Sequence, residues 1–558
     1  MRRISHLIPY PVILLLLISP ALAMGLPVFE EKEPGQMIRL STVALLFFLI
    51  PLAFFYKNVR LYCYCLLPLI VLTPLFLFST FYFGVPPGFE LIAFILQTNP
   101  REAAEAIGPF LVYFIPIEIF FVGLFLFATR KITPGIPPVH AIAISGCSFL
   151  LLCSMIYVIN GLSARHVEQI NRHDLVLKYD YPFTLISGIN EARVFLNKNH
   201  LRQAEDFTFR AVKGDSLTHR QVYVLVIGES SRYDRWQVNG YHRATSPRLA
   251  ARQDLLSFSD VIAGAHYTWV SVPQIITRAT PDNYDLQYRE KSILQAFRET
   301  GFKTVWLSNQ SDQDIFWSGS ITLHAKTADV SFFSPTYSPN LEFERIHDGR
   351  LLPLLDSMLR ADNSNLFIVM HTMGNHWEYS QRYPEAFDKF KPSGYTQTIN
   401  PPNAGNREAV LNSYDNSILY ADFILDSVLN TVNRHAEISA VTYISDHGED
   451  LFDAQADQID FHFRPSAATL HVPLFVWTSD LYKRHYPEKQ NNLEAHVSEK
   501  IGAENIFYTL ADMAHISVEG FDSKKSIAHR NFQPSLQKYY GDDKRACFYK
   551  QLEITAHK

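Results

Sequence analysis

The feature that most constrains this chain is a set of apolar runs in its first ~160 residues, from Ile8 to Phe29, Leu40 to Phe55, Leu61 to Phe83, Pro109 to Ala128 and Val139 to Ile159. A helix of about 20 apolar residues crosses the ~30 Å hydrocarbon core of a bilayer. The runs carry too little charge for the buried helices of a water-soluble protein, so five transmembrane helices are expected, the second of them short. Lys and Arg mark the cytoplasmic side. Arg2 and Arg3, Lys57 and Arg60, and Arg130 and Lys131 lie in alternate connections, whereas "EEKE" (Glu30 to Glu33) and "PREAAE" (Pro100 to Glu105) occupy the others. The N-terminus is therefore placed inside and the chain after the fifth helix outside. The first run ends in "SPALAMG", which resembles a signal-peptide cleavage site. We read it as an uncleaved helix.

The rest of the chain is built differently. The formal net charge of the whole chain, −5, offers no basic footprint, which excludes nucleic acid as a partner. Cys63, Cys65, Cys147 and Cys153 fall in the apolar runs, leaving Cys547 alone outside them. One cysteine forms no internal disulfide, and any metal site there must use histidine and carboxylate ligands. Three regions follow: a transmembrane domain (1–160), a linker with helices at the membrane surface (161–219) and an exported catalytic domain (220–558). From Arg220 onward, short β-rich runs alternate with helix-like stretches: "QVYVLVIGES", "FKTVWLSNQ", "NLFIVMHTMGNH", "AVTYISDHGED" and "HVPLFVWTSD". That alternation predicts a parallel α/β sheet. Ligands of such sheets bind beyond the carboxyl ends of the strands. Those ends carry Glu229, Asn309, His376, Asp446 and His447.

Charge at the end of a core strand is costly unless something pairs with it. Asp446 and Glu229 each have a plain alternative as helix caps, and His376 as a hydrogen-bonded core histidine. Taken together, two carboxylates and an imidazole from separate strand ends make a site for zinc or manganese. In "GAHYTWVSVPQ", Thr268 and Ser271 lie in a small, turn-prone stretch. A threonine hydroxyl is a weak nucleophile that metal coordination activates. An ordinary N-cap is the alternative for Thr268.

The strings "GESSRYDRWQVNGYHRATSPRL", "YTWVSVP", "HTMGNH", "SYDNSILYADFILDSVL" and "YISDHGED" resemble the bacterial phosphoethanolamine transferases of the alkaline phosphatase and sulfatase superfamily. The resemblance covers nearly the whole chain. "HFRPSAATLHVPLFVWTSD" and "SVEGFDSKKSIAHRNFQ" are most similar to the branch that decorates lipopolysaccharide core heptose. The resemblance implies an α-helical membrane domain plus an alkaline phosphatase-like α/β periplasmic domain, in a multi-pass protein of the bacterial inner membrane. It implies phosphatidylethanolamine as donor, lipopolysaccharide core or lipid A as acceptor, and Zn2+ as cofactor, with Mn2+ as the alternative. Motif by motif, Glu229, Thr268, Asp446 and His447 become metal ligands and Thr268 the nucleophile. His376 and His462 become contacts to the phosphate or a second metal, with His471 as the alternative to His462. Asn309 stands where the family binds substrate, and Thr98 and Glu102 in "QTNPREAAE" match residues that contact the lipid head group.

The chain departs from the lipid-A-modifying branch by lacking its disulfides and by carrying Trp269 where that branch has a small residue. Three rival readings fit the sequence less well. A sulfatase proper needs an Arg where "SVPQI" has Ile275 after Ser271 and Pro273. A glycerol-phosphate transferase using phosphatidylglycerol shares the threonine nucleophile but matches fewer motifs. A non-catalytic membrane scaffold has no need of the ligand set.

Overall fold

The computed structural model describes the chain apart from residues 1–8, 25–33, 83–86, 89–90, 93–110, 167–179, 205, 311–314, 335–346, 362, 397–398, 400–401, 403, 454–464, 542–544, 551 and 553–558. It divides into two compact units, Met1–Lys198 and Asn199–Lys558.

The first unit is helical. Each apolar run contains helix: α1 (Pro9–Met24), α2 (Pro34–Leu49) with α3 (Leu52–Phe55), α4 (Val59–Cys65) with α5 (Leu67–Tyr82), α6 (Leu111–Lys131) and α7 (Pro138–His166), and α8 (Phe183–Ala204) follows them in the chain. Pro51, which has no N–H to continue the ladder, separates α2 from α3. The α4–α5 pair bends by 45°. Two segments, Met37–Phe55 and Pro138–Tyr157, are long and apolar enough to cross a membrane alone, and the bent pair makes a third if it is one span. Length and composition of the described residues therefore support fewer spans than the five expected.

Inside this unit Leu17, Ala44, Phe48, Ile70, Phe76 and Phe125 are buried together, and Arg39 pairs with the buried Asp180 at 2.9 Å. Large apolar side chains such as Phe54, Phe120, Leu150 and Tyr157 point outward. Apolar surface inside and out is a penalty in water and none in lipid.

The second unit is organised by a seven-stranded sheet. Its strands are β1 (Gln221–Gly228), β2 (Leu255–Phe258), β3 (Lys303–Ser308), β4 (Val330–Phe333), β5 (Leu366–His371), β6 (Ile438–Ser445) and β7 (Leu474–Thr478), in the order β2-β7-β6-β1-β5-β3-β4. Every residue of β1, β5, β6 and β7 is buried, as expected for strands covered on both faces. Side chains alternate. Tyr223, Leu225 and Ile227 face one core with Phe367, Val369 and Ile444, and Val222, Val224 and Val226 face the other with Ile368, Met370 and Val441. Helix α9 (Thr268–Ile276) adds Val272, Ile275 and Ile276 to the first core. Helices α10 (Leu351–Ala361) and α11 (Arg407–His435) cover the second, through Leu351, Leu355, Leu359, Tyr414 and Leu425.

One expectation needs correcting. The run "HVPLFVWTSD" forms β7, which pairs antiparallel with both β6 and β2. Its carboxyl end therefore points away from the others. Alternation and β-propensity identify a strand without giving its direction, which the connection decides. Four strand ends converge, those of β1, β3, β5 and β6.

Candidate metal and nucleophile site at the strand ends

Register builds this site. Gly228 of β1 lies opposite Ser445 of β6, Ile227 opposite His371 of β5, and His371 opposite Ser308 of β3. The next residue of each strand enters one row of loops. Asp446 N–H donates to the Gly228 carbonyl at 3.0 Å, so Glu229 and Asp446 leave the sheet side by side. Thr268, the first residue of α9, donates its hydroxyl to Glu229 Oε1 and Oε2 at 3.2 and 3.1 Å. Its Oγ1 lies 3.2 Å from His447 Nε2. That nitrogen is 3.3 Å from Glu229 Oε1 and 3.5 Å from Asp446 Oδ2. His447 Nδ1 donates to the Gly448 carbonyl at 2.7 Å, which aims Nε2 into the cluster. One ligand atom from each of Glu229, Asp446 and His447 lies within 4.8 Å of the others, the only such group among the described residues.

The surrounding backbone is fixed to hold this row. Ser230 takes a left-handed φ of 55°. A non-glycine residue pays for that conformation and keeps it only where its surroundings over-determine it. Here Ser230 N–H donates to Asp446 Oδ1 at 3.1 Å, its hydroxyl to Glu229 Oε1 at 3.0 Å, and its carbonyl accepts from Tyr414 at 2.7 Å. Gly374, also left-handed, presses on Glu229: a Cβ there would sit 2.7 Å from the Glu229 carbonyl oxygen. Ser271, one turn into α9, donates to the Asp446 carbonyl at 2.5 Å and ties the helix that carries Thr268 to β6.

The cluster is short of positive charge. Glu229 and Asp446 are 1% and 0% exposed. Burial and the charge of Glu229 push the Asp446 carboxyl up to about 8, against the pull of His447. Burial also acts on His447, but Asp446 and Glu229 overcome it and raise the imidazole to about 10. Burial works to raise Glu229 as well, and the His447 hydrogen bond and charge hold it well below the usual carboxylate range. Without a metal, then, the cluster balances itself by keeping protons. Asp446 Oδ2 is nonetheless buried with no hydrogen-bond partner. An orphaned carboxylate oxygen beside an inward-facing imidazole nitrogen fits a divalent cation, and an oxygen and nitrogen donor set without thiolate suits zinc.

The other candidates are placed as follows. Asn309 is buried, with its amide donating to Asp348 Oδ1 and accepting from Ser334, both at 2.8 Å. Its neighbour Gln310, absent from the sequence reading, reaches the site and donates to Glu229 Oε2 at 2.9 Å and to the Thr372 carbonyl at 3.1 Å. His376 lies on the loop after β5, half-buried, and its charge helps to lower Glu229. His471 stacks on Tyr233 with ring centroids 4.2 Å apart, its Nε2 3.0 Å from the Ser259 carbonyl oxygen. Thr98, Glu102 and His462 lie outside the described residues. The sequence reading also missed Asp348. This buried carboxylate accepts from Asn309, Met373 N–H and Gly374 N–H at 2.8, 2.8 and 3.0 Å, so one side chain links the loops that carry Gln310 and His376.

The chain resembles known proteins in sequence and fold. The profile of the Sulfatase family matches residues 221–516. Phosphoethanolamine transferase EptC of Escherichia coli (strain K12) is 26% identical over 331 residues, which are 58% of this chain and 56% of that protein. The match thus spans little more than half the length of that relative. The crystal structure of the C-terminal periplasmic domain of EcEptC from Escherichia coli in complex with Zn is 25% identical, with a TM-score of 0.54, and covers 61% of this chain and 96% of that domain. The integral membrane protein lipooligosaccharide phosphoethanolamine transferase A (EptA) from Neisseria meningitidis has a TM-score of 0.67 at 23% identity, covering 94% of this chain and 98% of that one. This last likeness is one of fold.

Proposed function

The chain belongs to the sulfatase family, and from that premise we propose that it is a zinc-dependent phosphoethanolamine transferase of a bacterial inner membrane. In this reading five membrane helices (1–160) and a linker (161–219) hold a periplasmic catalytic domain (220–558) beside its lipid donor. The single observation that carries it is the Thr268 hydroxyl within 3.2 Å of both Glu229 and His447, next to the orphaned Asp446 oxygen. Glu229, Asp446 and His447, with Thr268 Oγ1 as fourth donor, would hold the zinc, which supplies Lewis acidity for deprotonating the hydroxyl and for offsetting phosphoryl charge. The names of the relatives supply the transferred group.

The reaction is a ping-pong transfer. Thr268 Oγ1 forms a bond to the phosphorus of phosphatidylethanolamine as the bond from phosphorus to the diacylglycerol oxygen breaks in line. Thr268 lies at the N-terminus of α9, where the helix dipole favours a bound phosphoryl group. His376 and His462 contact the phosphoryl oxygens, and one of them gives the departing diacylglycerol oxygen its proton. A lipopolysaccharide hydroxyl, in this reading one of a core heptose, then attacks the same phosphorus, gives its proton back to that histidine, and the bond from phosphorus to Thr268 Oγ1 breaks. Thr98 and Glu102 receive the donor's head group, and Asn309 supports the substrate loop.

The test is diacylglycerol release by the full-length protein reconstituted in vesicles. Phosphatidylethanolamine should release diacylglycerol when zinc is present, and Thr268→Ala should abolish the release. Release from phosphatidylglycerol alone would move the protein to glycerol-phosphate transfer. No release from either lipid would defeat the enzymatic reading.

A further inference from the structure

The loops that follow β1 and β6 leave the sheet side by side, and each brings a carboxylate, Glu229 on one and Asp446 on the other. A metal ion entering between them needs both groups charged and close together, a state the ligands themselves oppose. Something outside the ligand set must hold the two loops in place. One side chain spans both. Arg232, in the loop after β1, is 5% exposed. Its Nε and Nη2 donate to Asp234 Oδ1 and Oδ2 of the same loop at 2.8 and 2.7 Å. Its Nη1 crosses to the loop after β6, where it donates to the Glu449 carbonyl at 3.2 Å and pairs with Asp453. The Arg232 backbone N–H donates to the Tyr414 hydroxyl at 2.9 Å, so α11 fixes the base of the side chain.

The stem of this arginine reaches the imidazole. The Gly448 carbonyl accepts from His447 Nδ1 at 2.7 Å and so sets the ring's direction. A Cβ on Gly448 would sit 3.4 Å from Arg232 Cγ and 2.1 Å from the Ala468 carbonyl oxygen. The Gly448 N–H donates to the Thr469 carbonyl at 2.7 Å. The residue that aims His447 is therefore seated between the Arg232 stem and the backbone at 468–469, and the guanidinium holds the next carbonyl along. Asp234 and Asp453 are 57% and 41% exposed, where ion pairs add little to stability. What the planar, forked guanidinium does supply is a fixed spacing between two loops. We propose that Arg232 is a positioning residue of the metal site: its guanidinium fixes the loop of Glu229 against the loop of Asp446 and His447, and its stem seats the Gly448 peptide that orients the His447 ring. The assignment rests on the zinc-site reading above.

The test is the zinc affinity of the full-length protein, measured by equilibrium dialysis against the metal alone, with near-ultraviolet circular dichroism of the metal-free forms as the check on folding. Arg232→Lys keeps the stem and the charge but loses the fork, and should weaken zinc binding about tenfold, the scale seen when partners of metal ligands are removed. Arg243→Lys is the control. Arg243 also leaves the loop after β1, but it clamps Asp415 and Asn412 of α11 at 2.6 and 2.8 Å, and none of its hydrogen bonds reaches the loop after β6. Its variant should bind zinc within about twofold of the wild type. Unchanged affinity in Arg232→Lys, or equal losses in the two variants, would overturn the assignment and leave Arg232 a structural residue. If Arg232→Lys does not fold, Asp453→Ala cuts the same tie from its exposed end and should weaken zinc about threefold, and unchanged affinity there would overturn the assignment as well. A wild-type protein that binds no zinc would take the metal site down with it, whereas wild-type binding with no loss in these variants would sink the role of Arg232 alone.

Discussion

The α/β unit buries carboxylates in several places, and two of these are treated differently. Asp415 on α11 is fully buried, and it accepts from Arg243 at 2.6 Å and Tyr241 at 3.1 Å, with Arg235 at 3.5 Å. Its charge is met from within the chain. Glu229 and Asp446 are as deeply buried, yet the one cation their cluster can form is His447, and Asp446 Oδ2 has no hydrogen-bond partner. A balanced pair is a structural device, here linking the loop after β1 to α11. An unbalanced one asks for a cation from outside. Charge accounting, rather than burial or carboxylate count, tells the two apart.

The comparison can be broken most forcefully at Glu229. Glu229→Gln should weaken zinc binding by at least about a hundredfold and abolish transfer, since it removes a ligand charge from a dry site. Equilibrium dialysis with metal analysis reads this directly, and Asp415→Asn in the same assay should bind zinc like the wild type. Equal losses in both variants would erase the distinction.

A second effect follows from protons. In the metal-free cluster Asp446 is raised to about 8 and His447 to about 10, so both hold a proton at neutral pH. Zinc must displace them, and its affinity should climb as pH rises, with at least about two protons released per ion near pH ~7, a third accompanying deprotonation of Thr268. The stability sign agrees. Both groups bind protons more tightly folded than unfolded, so the metal-free protein loses stability as pH rises, from the ordinary range of each group to its raised value. The gain in Tm on adding zinc should therefore be larger at pH ~9 than at pH ~6. Calorimetry in buffers of different ionisation enthalpy counts the protons, and an affinity independent of pH would contradict the assignment.

Smaller effects sharpen the picture. Asp348→Ala frees the two loops that carry Gln310 and His376, and should lower transfer about 10- to 100-fold. Its zinc content should stay near that of the wild type, because Asp348 touches neither Asp446 nor His447. Asp415→Ala should cost about 2 kcal/mol of stability by chemical denaturation, less than a fully buried pair, since Arg235 and Arg243 keep some contact with water. Transfer per folded molecule should not change.

The extent to which this could be read from sequence follows the same divide. Strands β1, β3, β5, β6 and β7 announce themselves because a strand buried on both faces must be apolar throughout. Glu229, Asp446 and His447 stand out because they interrupt such runs with charge, and Thr268 because of the motif around it. The direction of β7 was not legible, since reversing a strand leaves its alternation intact. Gln310 and Asp348 were not legible either. They are ordinary polar residues in loops, and their value comes from partners far away in the chain, Glu229 for one and Gly374 N–H for the other. The left-handed turn at Ser230 lacks the glycine that would have flagged it.

The most direct test of the central claim is intact-protein mass spectrometry of the zinc-loaded protein after incubation with phosphatidylethanolamine and no acceptor, beside Thr268→Ala. A phosphoethanolamine adduct on the wild type that maps to Thr268 and is absent from the variant is the expected result. An adduct on another residue, or one that persists in Thr268→Ala, would contradict the assignment of this hydroxyl as the nucleophile.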